Sequence, residues 1–564
     1  MKVSEVIVQE LLKYNVNHIF GVPGVNVLPI FNEIEHNLDT ELIVCSSESG
    51  AVYMADGYSR INGLGCCIGT TGPGITNMLT GVAGAYYDST PLIVISAQVS
   101  ENEYNKYAIQ EMTGFGRTPN VINMIAQITK KAYRLERARL SSFYFDLRRL
   151  FKEAISARKG PVYIEICEDL WDCEVEIDKN DCLNVDDVQS VDSFSPSFKN
   201  IIDCISSSNN PLVILGNGAN DTDSSLIMEF VNNLGGFCVS TALAKGKLSH
   251  SFQRYLGVIG CYGNLVANEI IAQADLIIIL GASLGYLSTC GWSLNFSAKK
   301  IIRVDIDLNE LKRNIAADFA INSTVTDFLH YLKSNFTFDF SDSKWLTMSP
   351  SALTSSEIDN VIDNNCTIHP VEVMDIINSQ FSEIDHTIVV DVGQNAYWAE
   401  RYLNNVVDKF NGFIIHGGMG AMGYGIASSI GVRLAQRKIS NNAKVICICG
   451  DGGYLMNGLE LNTAAFYGID VLWIIMNNKS LGTQKAWSEK VGYNLHFNNT
   501  NNINIQLNAI SQGIPTYTIM HPLDFELLLT KIKNDRAPSL VNICLPDYIY
   551  PKPYYKQSAN KINR

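Results

Sequence analysis

The chain has 564 residues, 46% of them hydrophobic and 18% charged, with 43 Lys plus Arg against 57 Asp plus Glu and a net charge of −14. One core saturates near ~250 residues, so several units are expected. The apolar content excludes a disordered or collagen-like chain. An acidic balance without a basic block argues against binding nucleic acid or an anionic membrane.

Met1 to Leu12 has acids inside an apolar run and reads as an amphipathic helix rather than a signal peptide. No apolar run approaches the ~20 residues of a membrane span, so a cytoplasmic protein is expected. The fourteen cysteines include no Cys-x-x-Cys, which removes the spacing of zinc knuckles and thioredoxin-type motifs and leaves them as small buried hydrophobes. In a first block, 1–175, Cys66-Cys67-Ile68-Gly69 runs into Gly72-Pro73-Gly74, a helix is expected from Ile75 to Tyr87, and Pro91–Ser96 is the next buried strand. A connection rich in Asp and Ser follows, from about Glu174 to Phe198. The middle block, 190–340, carries Pro211–Leu215 and Leu276–Leu280, each running into Gly. A second connection spans about Asn335 to Cys366. The third block, 365–547, carries Lys444–Cys449 and Val471–Met476, and a Tyr/Pro/Lys-rich tail, 548–564, reads as a lid or a frayed end. Continuous apolar strands alternating with helices specify an α/β protein of three doubly wound parallel sheets, with ligands beyond the carboxyl ends of the strands.

The chemistry concentrates in the third block. Gly450-Asp451-Gly452-Gly453 follows a buried strand and opens a helix expected over Tyr454–Tyr467; the next strand ends at Asn477-Asn478. Backbone glycines and a helix N-terminus suit phosphate, but Asp451 needs a cation in between. Asp451, Asn478 and Ser480 are therefore candidate ligands for Mg²⁺, through a carboxylate and carbonyl oxygens, with phosphate oxygens completing the shell. A lone Gly-Asp-Gly is common in turns; two strand ends and the Asn pair at this spacing make a diphosphate–Mg²⁺ site.

These residues resemble the signature of enzymes dependent on thiamine diphosphate, and the resemblance extends over nearly the whole chain. It implies that Glu48 hydrogen-bonds the cofactor's aminopyrimidine ring and activates it; alone, Glu48 would pass for an ordinary acid at a helix start. Pro73 and Asn77, within Thr70–Asn77, resemble the loop that holds the pyrimidine. Gly418, Gly420 and Met422, within His416–Gly423, resemble the loop that bends the cofactor; alone, Met422 would be a core filler. Val392-Gly393-Gln394-Asn395 looks like a second diphosphate turn, and Leu481-Gly482 continues the first.

The markers are most similar to acetohydroxyacid (acetolactate) synthases: Gly21-Val22-Pro23-Gly24, Asp88–Leu92, Gln110-Glu111 and Trp487. The resemblance implies that Pro23 belongs to the cofactor site, that Gln110 orients a carbonyl acceptor and that Trp487 lines its pocket. Related decarboxylases use a first-domain His-His pair and an acid after the Gly-x-Pro-Gly turn. Here no histidine lies between His36 and His250, and Val25 follows Gly24. A pocket without proton donors favours C–C ligation over aldehyde release. The expected function is a decarboxylating carboligase taking a 2-keto acid such as pyruvate and a carbonyl acceptor, in a homodimer or dimer of dimers. Ile109, Val25 and Glu168 depart from the family pattern and leave a larger acceptor, such as a keto-sugar, as an alternative; a simple decarboxylase is another. Gly281-Ala282-Ser283-Leu284-Gly285 replaces a segment whose arginine contacts FAD, so FAD stays open. The same segment spells Gly-x-Ser-x-Gly, a serine-hydrolase pattern that needs a strand–Ser–helix elbow. A cofactor-binding regulatory subunit is a third reading, and one that would be expected to lose Glu48 or the metal pair.

Overall fold

The structure is a computed structural model that describes residues 1–177, 198–336, 345, 368–404, 412–439, 442–493, 495 and 502–554. Both connections lie mostly outside these residues, as does the end of the tail. Among the described residues eighteen strands form three six-stranded sheets in which every neighbouring pair is parallel.

The first sheet has the order β2-β1-β3-β4-β6-β5, from β1 (His18–Gly21), β2 (Glu41–Val44), β3 (Gly65–Gly69), β4 (Leu92–Gln98), β5 (Lys131–Leu135) and β6 (Val162–Cys167). The middle sheet runs β12-β11-β10-β7-β8-β9, from β7 (Pro211–Leu215), β8 (Phe237–Ser240), β9 (Tyr255–Val258), β10 (Leu276–Leu280), β11 (Lys300–Asp305) and β12 (Phe319–Asn322). The third repeats the theme as β14-β13-β15-β16-β18-β17, from β13 (His386–Val390), β14 (Phe413–Ile415), β15 (Lys444–Gly450), β16 (Val471–Asn477), β17 (Thr516–Ile519) and β18 (Ser539–Cys544). The central strands β3, β4, β7, β10 and β16 are buried along their whole length, as continuous apolar runs between helical layers must be.

The N-terminal segment forms the helix Val3–Lys13. The helix expected from Ile75 starts two residues earlier, over Pro73–Asp88, because Pro serves at a first turn where no N–H is needed. The helix expected over Tyr454–Tyr467 is two: Asp451–Asn457 and Glu460–Phe466. The break falls at Gly458, where a Cβ would stand 2.5 Å from the Tyr454 carbonyl oxygen.

The first and third sheets share one core. Apolar residues of the helix Glu48–Asn62 and of the helix Tyr424–Lys438 belong to a single buried cluster. No helix among the described residues is long and apolar enough to cross a membrane.

Candidate functional site

The register Gly450↔Met476 sets the end of β15 beside the end of β16, so Asp451 and Asn478 emerge at one edge of the third sheet. Two successive side-chain turns shape the Asn pair. The Asn477 Oδ1 accepts from Lys479 N–H at 3.1 Å, and the Asn478 Oδ1 accepts from Ser480 N–H at 3.2 Å. Asparagine suits both places because its amide oxygen mimics a backbone acceptor. Lys479, between them, adopts a left-handed φ of 55°.

These ends open onto a cavity of about 210 Å³ lined by Val392, Gly393, Gln394, Asn395, Gly420, Met422, Gly450, Asp451, Gly452, Gly453, Asn478, Ser480, Leu481 and Gly482. Fourteen of the residues singled out from sequence thus converge on one space. Thr483, Gln484, Tyr397 and Ile549 also line it and were not singled out. A threonine in a first helical turn carries no distinctive sequence signal. The glycines are steric requirements: a Cβ on Gly452 would meet Leu481 Cδ2 at 2.8 Å and Met422 Cε at 2.9 Å, and one on Gly482 would meet Gln394 Oε1 at 2.4 Å.

Asp391 holds the floor. Its carboxylate is fully buried at the end of β13 and accepts from Gly423 N–H at 3.0 Å, Gly425 N–H at 3.1 Å and the Cys449 thiol at 3.1 Å. Burial pushes this carboxyl above the ordinary aspartate value, against the two N–H bonds. Asp391 thereby ties the loop 416–423 to β15. The loop's other end rests on the first unit: Gly417 N–H donates to Asp88 Oδ2 at 2.8 Å, and Arg60 reaches the same oxygen at 3.0 Å. Gly418 does not line the cavity; it faces Tyr87, whose ring would stand 2.0 Å from a Cβ placed there.

The Ser480 and Thr483 hydroxyls are buried with no hydrogen-bond partner among the described residues. Polar atoms left so at a helix start, beside Asp451, fit a diphosphate. Among the described residues no three His, Cys, Asp or Glu side chains gather as a metal cage. A cation here would take one carboxylate, the Asn478 amide oxygen and a backbone carbonyl from the protein and the rest from phosphate, as Mg²⁺ sites do.

The first-unit candidates form a separate group. Pro23 and Val25 follow β1, Glu48 follows β2, Pro73 and Asn77 follow β3, and Gln110 follows β4, all at carboxyl ends. Asn77 Nδ2 donates to Glu48 Oε2 at 3.0 Å. Gln110 has a φ of 65°, accepts from the Thr71 hydroxyl at 3.0 Å, and packs its side chain over Gly72. Val25 is 73% exposed and Ile109 87% exposed, while Glu168 accepts from Asn26 Nδ2 at 2.7 Å. None of these residues lines the cavity. Trp487, 57% exposed on the helix Gly482–Val491 with the Lys490 ammonium 5.1 Å above its ring, is no core aromatic and also stands outside it.

In the middle sheet β10 runs into Gly281–Leu284 with no helix behind it, so the hydrolase elbow does not form around Ser283. Gly216 closes on this segment, with a Cβ there falling 2.1 Å from the Gly281 carbonyl oxygen. Arg303, fully buried nearby, spends its guanidinium on the carbonyls of Ala282 and Arg313.

Residues 1–116, 198–332 and 391–543 match the N-terminal TPP binding domain, the central domain and the C-terminal TPP binding domain of thiamine pyrophosphate enzymes. The chain is 30% identical over 515 residues to a probable acetolactate synthase large subunit of Methanococcus aeolicus, covering 86% of this chain and 82% of that one. It is 30% identical over 553 residues to the acetolactate synthase large subunit of Lactococcus lactis, covering 96% and 92%. A solved thiamine diphosphate-dependent 4-hydroxybenzoylformate decarboxylase of Rhodococcus jostii shares the fold with a TM-score of 0.79 at 20% identity, over 97% of this chain and 99% of that one. The chain therefore belongs to the thiamine pyrophosphate enzymes, close to the acetolactate synthase large subunits.

Proposed function

We propose that the protein is a thiamine-diphosphate- and Mg²⁺-dependent carboligase of the acetolactate synthase type. It decarboxylates a 2-keto acid such as pyruvate and joins the remaining acyl unit to a carbonyl acceptor. The observation that carries this reading is the cavity at the end of β15 and β16, where Asp451 and Asn478 stand beside the buried hydroxyls of Ser480 and Thr483, which have no hydrogen-bond partner among the described residues. When bound, thiamine diphosphate serves as the electron sink for decarboxylation.

The chain's own residues do the rest. Asp451, Asn478 and the Ser480 backbone hold the cation, and the Gly393 and Gly452 backbones with the Ser480 and Thr483 hydroxyls bind phosphate oxygens. Met422 and Leu481, which flank Gly452, would stand against the bound cofactor. Glu48, oriented by Asn77, holds a proton on the pyrimidine ring. Gln110 donates a hydrogen bond to the acceptor carbonyl, and Val25 offers no proton that would release an aldehyde.

Glu48 and Asp451 serve one cofactor, yet Glu48 stands outside the cavity that Asp451 lines. We infer that the site is completed by a second copy, the first unit of one chain facing the third unit of its partner. In this reading 1–175 is the pyrimidine-binding domain, 190–340 the central domain, 365–547 the diphosphate-binding domain and 548–564 a tail. FAD is not assigned a role in this reading: Gly281–Gly285 stands in place of the arginine-bearing segment, and two nitrogens of the Arg303 guanidinium are engaged by the carbonyls of Ala282 and Arg313.

Incubating the Mg²⁺/thiamine-diphosphate holoenzyme with pyruvate and a panel of keto acids, aldehydes and keto-sugars, with products read by mass spectrometry, tests the reading. A condensation product is expected. Acetaldehyde as the dominant product, with no acceptor ligated, overturns it. The departures from the family pattern at Val25, Ile109 and Glu168 support a second reading, in which the preferred acceptor is a keto-sugar.

A further inference from the structure

Glu460 opens the helix Glu460–Phe466 of the third unit and is buried to within 1% of its surface, yet three of its four donors belong to the turn before Glu48. One carboxylate oxygen, Oε1, accepts from the Ser47 N–H at 2.9 Å and from the Ser47 hydroxyl at 2.9 Å. The other, Oε2, accepts from the Ser46 N–H at 3.0 Å and from the Thr463 hydroxyl at 2.8 Å. The Ser46 hydroxyl adds a bond to the Leu459 carbonyl at 3.0 Å. Ser47 in turn caps the helix Glu48–Asn62 by accepting from Gly50 N–H at 3.0 Å. Gly50 is the complementary feature, since a Cβ there would stand 2.0 Å from Glu460 Oε1.

A carboxylate taken out of water is costly unless its oxygens are filled, and here four donors fill them. Two of those donors are the consecutive backbone N–H groups before Glu48, which fixes the backbone from which that side chain reaches out. At its far end Glu48 is held by Asn77. We propose that Glu460 is a positioning residue for Glu48, a carboxylate of the third unit that sets the reach of the first unit's catalytic acid in the same chain. The proposal rests on the reading of Glu48 given above.

The test is Glu460→Gln, which keeps the shape but turns an amide N–H toward one pair of donors, so a Ser46 or Ser47 bond is lost. The probe is the C2 proton of bound thiamine diphosphate, exchanged against D₂O at saturating cofactor, quenched and read by NMR. Exchange is expected to slow about tenfold or more while cofactor Kd stays within about twofold. In the cofactor-free protein, the backbone amides of residues 44–50 should exchange faster than in the parent. The double variant Glu48→Gln/Glu460→Gln should be no slower than Glu48→Gln alone, because Glu460 acts only through Glu48. Gly50→Ala, which displaces the carboxylate from the opposite side, should reproduce the slowing and serves where Glu460→Gln does not fold. Normal C2 exchange in Glu460→Gln or Gly50→Ala beside a dead Glu48→Gln overturns the positioning role alone, as does a double variant slower than Glu48→Gln. Normal exchange in Glu48→Gln overturns the reading of Glu48 and the proposal with it.

Discussion

Gly57 lies so close to Ser428 that a Cβ on it would meet the Ser428 carbonyl oxygen at 2.1 Å. One turn away the relation is reversed: a Cβ on Gly431 would meet the Met54 carbonyl oxygen at 1.8 Å. The helices Glu48–Asn62 and Tyr424–Lys438 therefore touch backbone to backbone, and this contact joins the first and third units. Gly57→Ala should lower stability. Overpacking costs about 1–3 kcal/mol, against a helix-propensity gain of about 0.5–1 kcal/mol. Urea denaturation should show a lower midpoint; an unchanged or higher one would mean the helices can part without cost.

Glu48→Gln should abolish turnover and leave cofactor affinity largely intact. The amide keeps the shape and the Asn77 neighbour but cannot share a proton with the pyrimidine ring. Near-normal steady-state turnover would remove Glu48 from the mechanism.

Asp451→Ala should weaken Mg²⁺ and thiamine diphosphate together, because phosphate beside this edge needs its bridging cation. Chelating the metal from the unaltered protein should have the same effect. Calorimetric titration showing unchanged cofactor affinity in either case would sink the metal assignment.

Mixing Glu48→Ala chains with Asp451→Ala chains, each inactive alone, should restore activity on subunit exchange. In a mixed dimer one site collects both substitutions and the other has neither. If exchange is confirmed and the mixture stays dead, the site is built within one chain.

Trp487→Leu should change acceptor preference and leave decarboxylation active, since the ring is exposed and carries no core. Loss of both steps in equal measure, measured as CO₂ release against ligated product, would assign Trp487 a structural role.

The strands were legible because parallel strands covered on both faces must be apolar throughout: Pro211–Leu215 and Leu276–Leu280 coincide with β7 and β10. The meeting of the β15 and β16 ends was legible for a related reason. Asp451 and the Asn pair are local features, each at the end of its own strand, and two adjacent parallel strands bring them together without help from the rest of the chain. The short edge strands β2, β14 and β17 were not, because a few residues at a sheet edge carry too little pattern to stand out from a loop.

What the sequence by itself determined is the chemistry available at each strand end: Glu48, the glycine turns, Asp451 and Asn478. What only the tertiary structure decided is how those ends are held. Gly50 and Gly57 read as ordinary helix residues until Glu460 and Ser428 are placed against them. The grip of Asp391 on Gly423 and Gly425 is likewise visible only in the packed structure. Glu460 gave no signal at all, since its partners Ser46 and Ser47 lie more than four hundred residues away in the chain. A periodic pattern reports a residue's own strand or helix, whereas the support of a site is a set of long-range contacts that exist only once the units have packed.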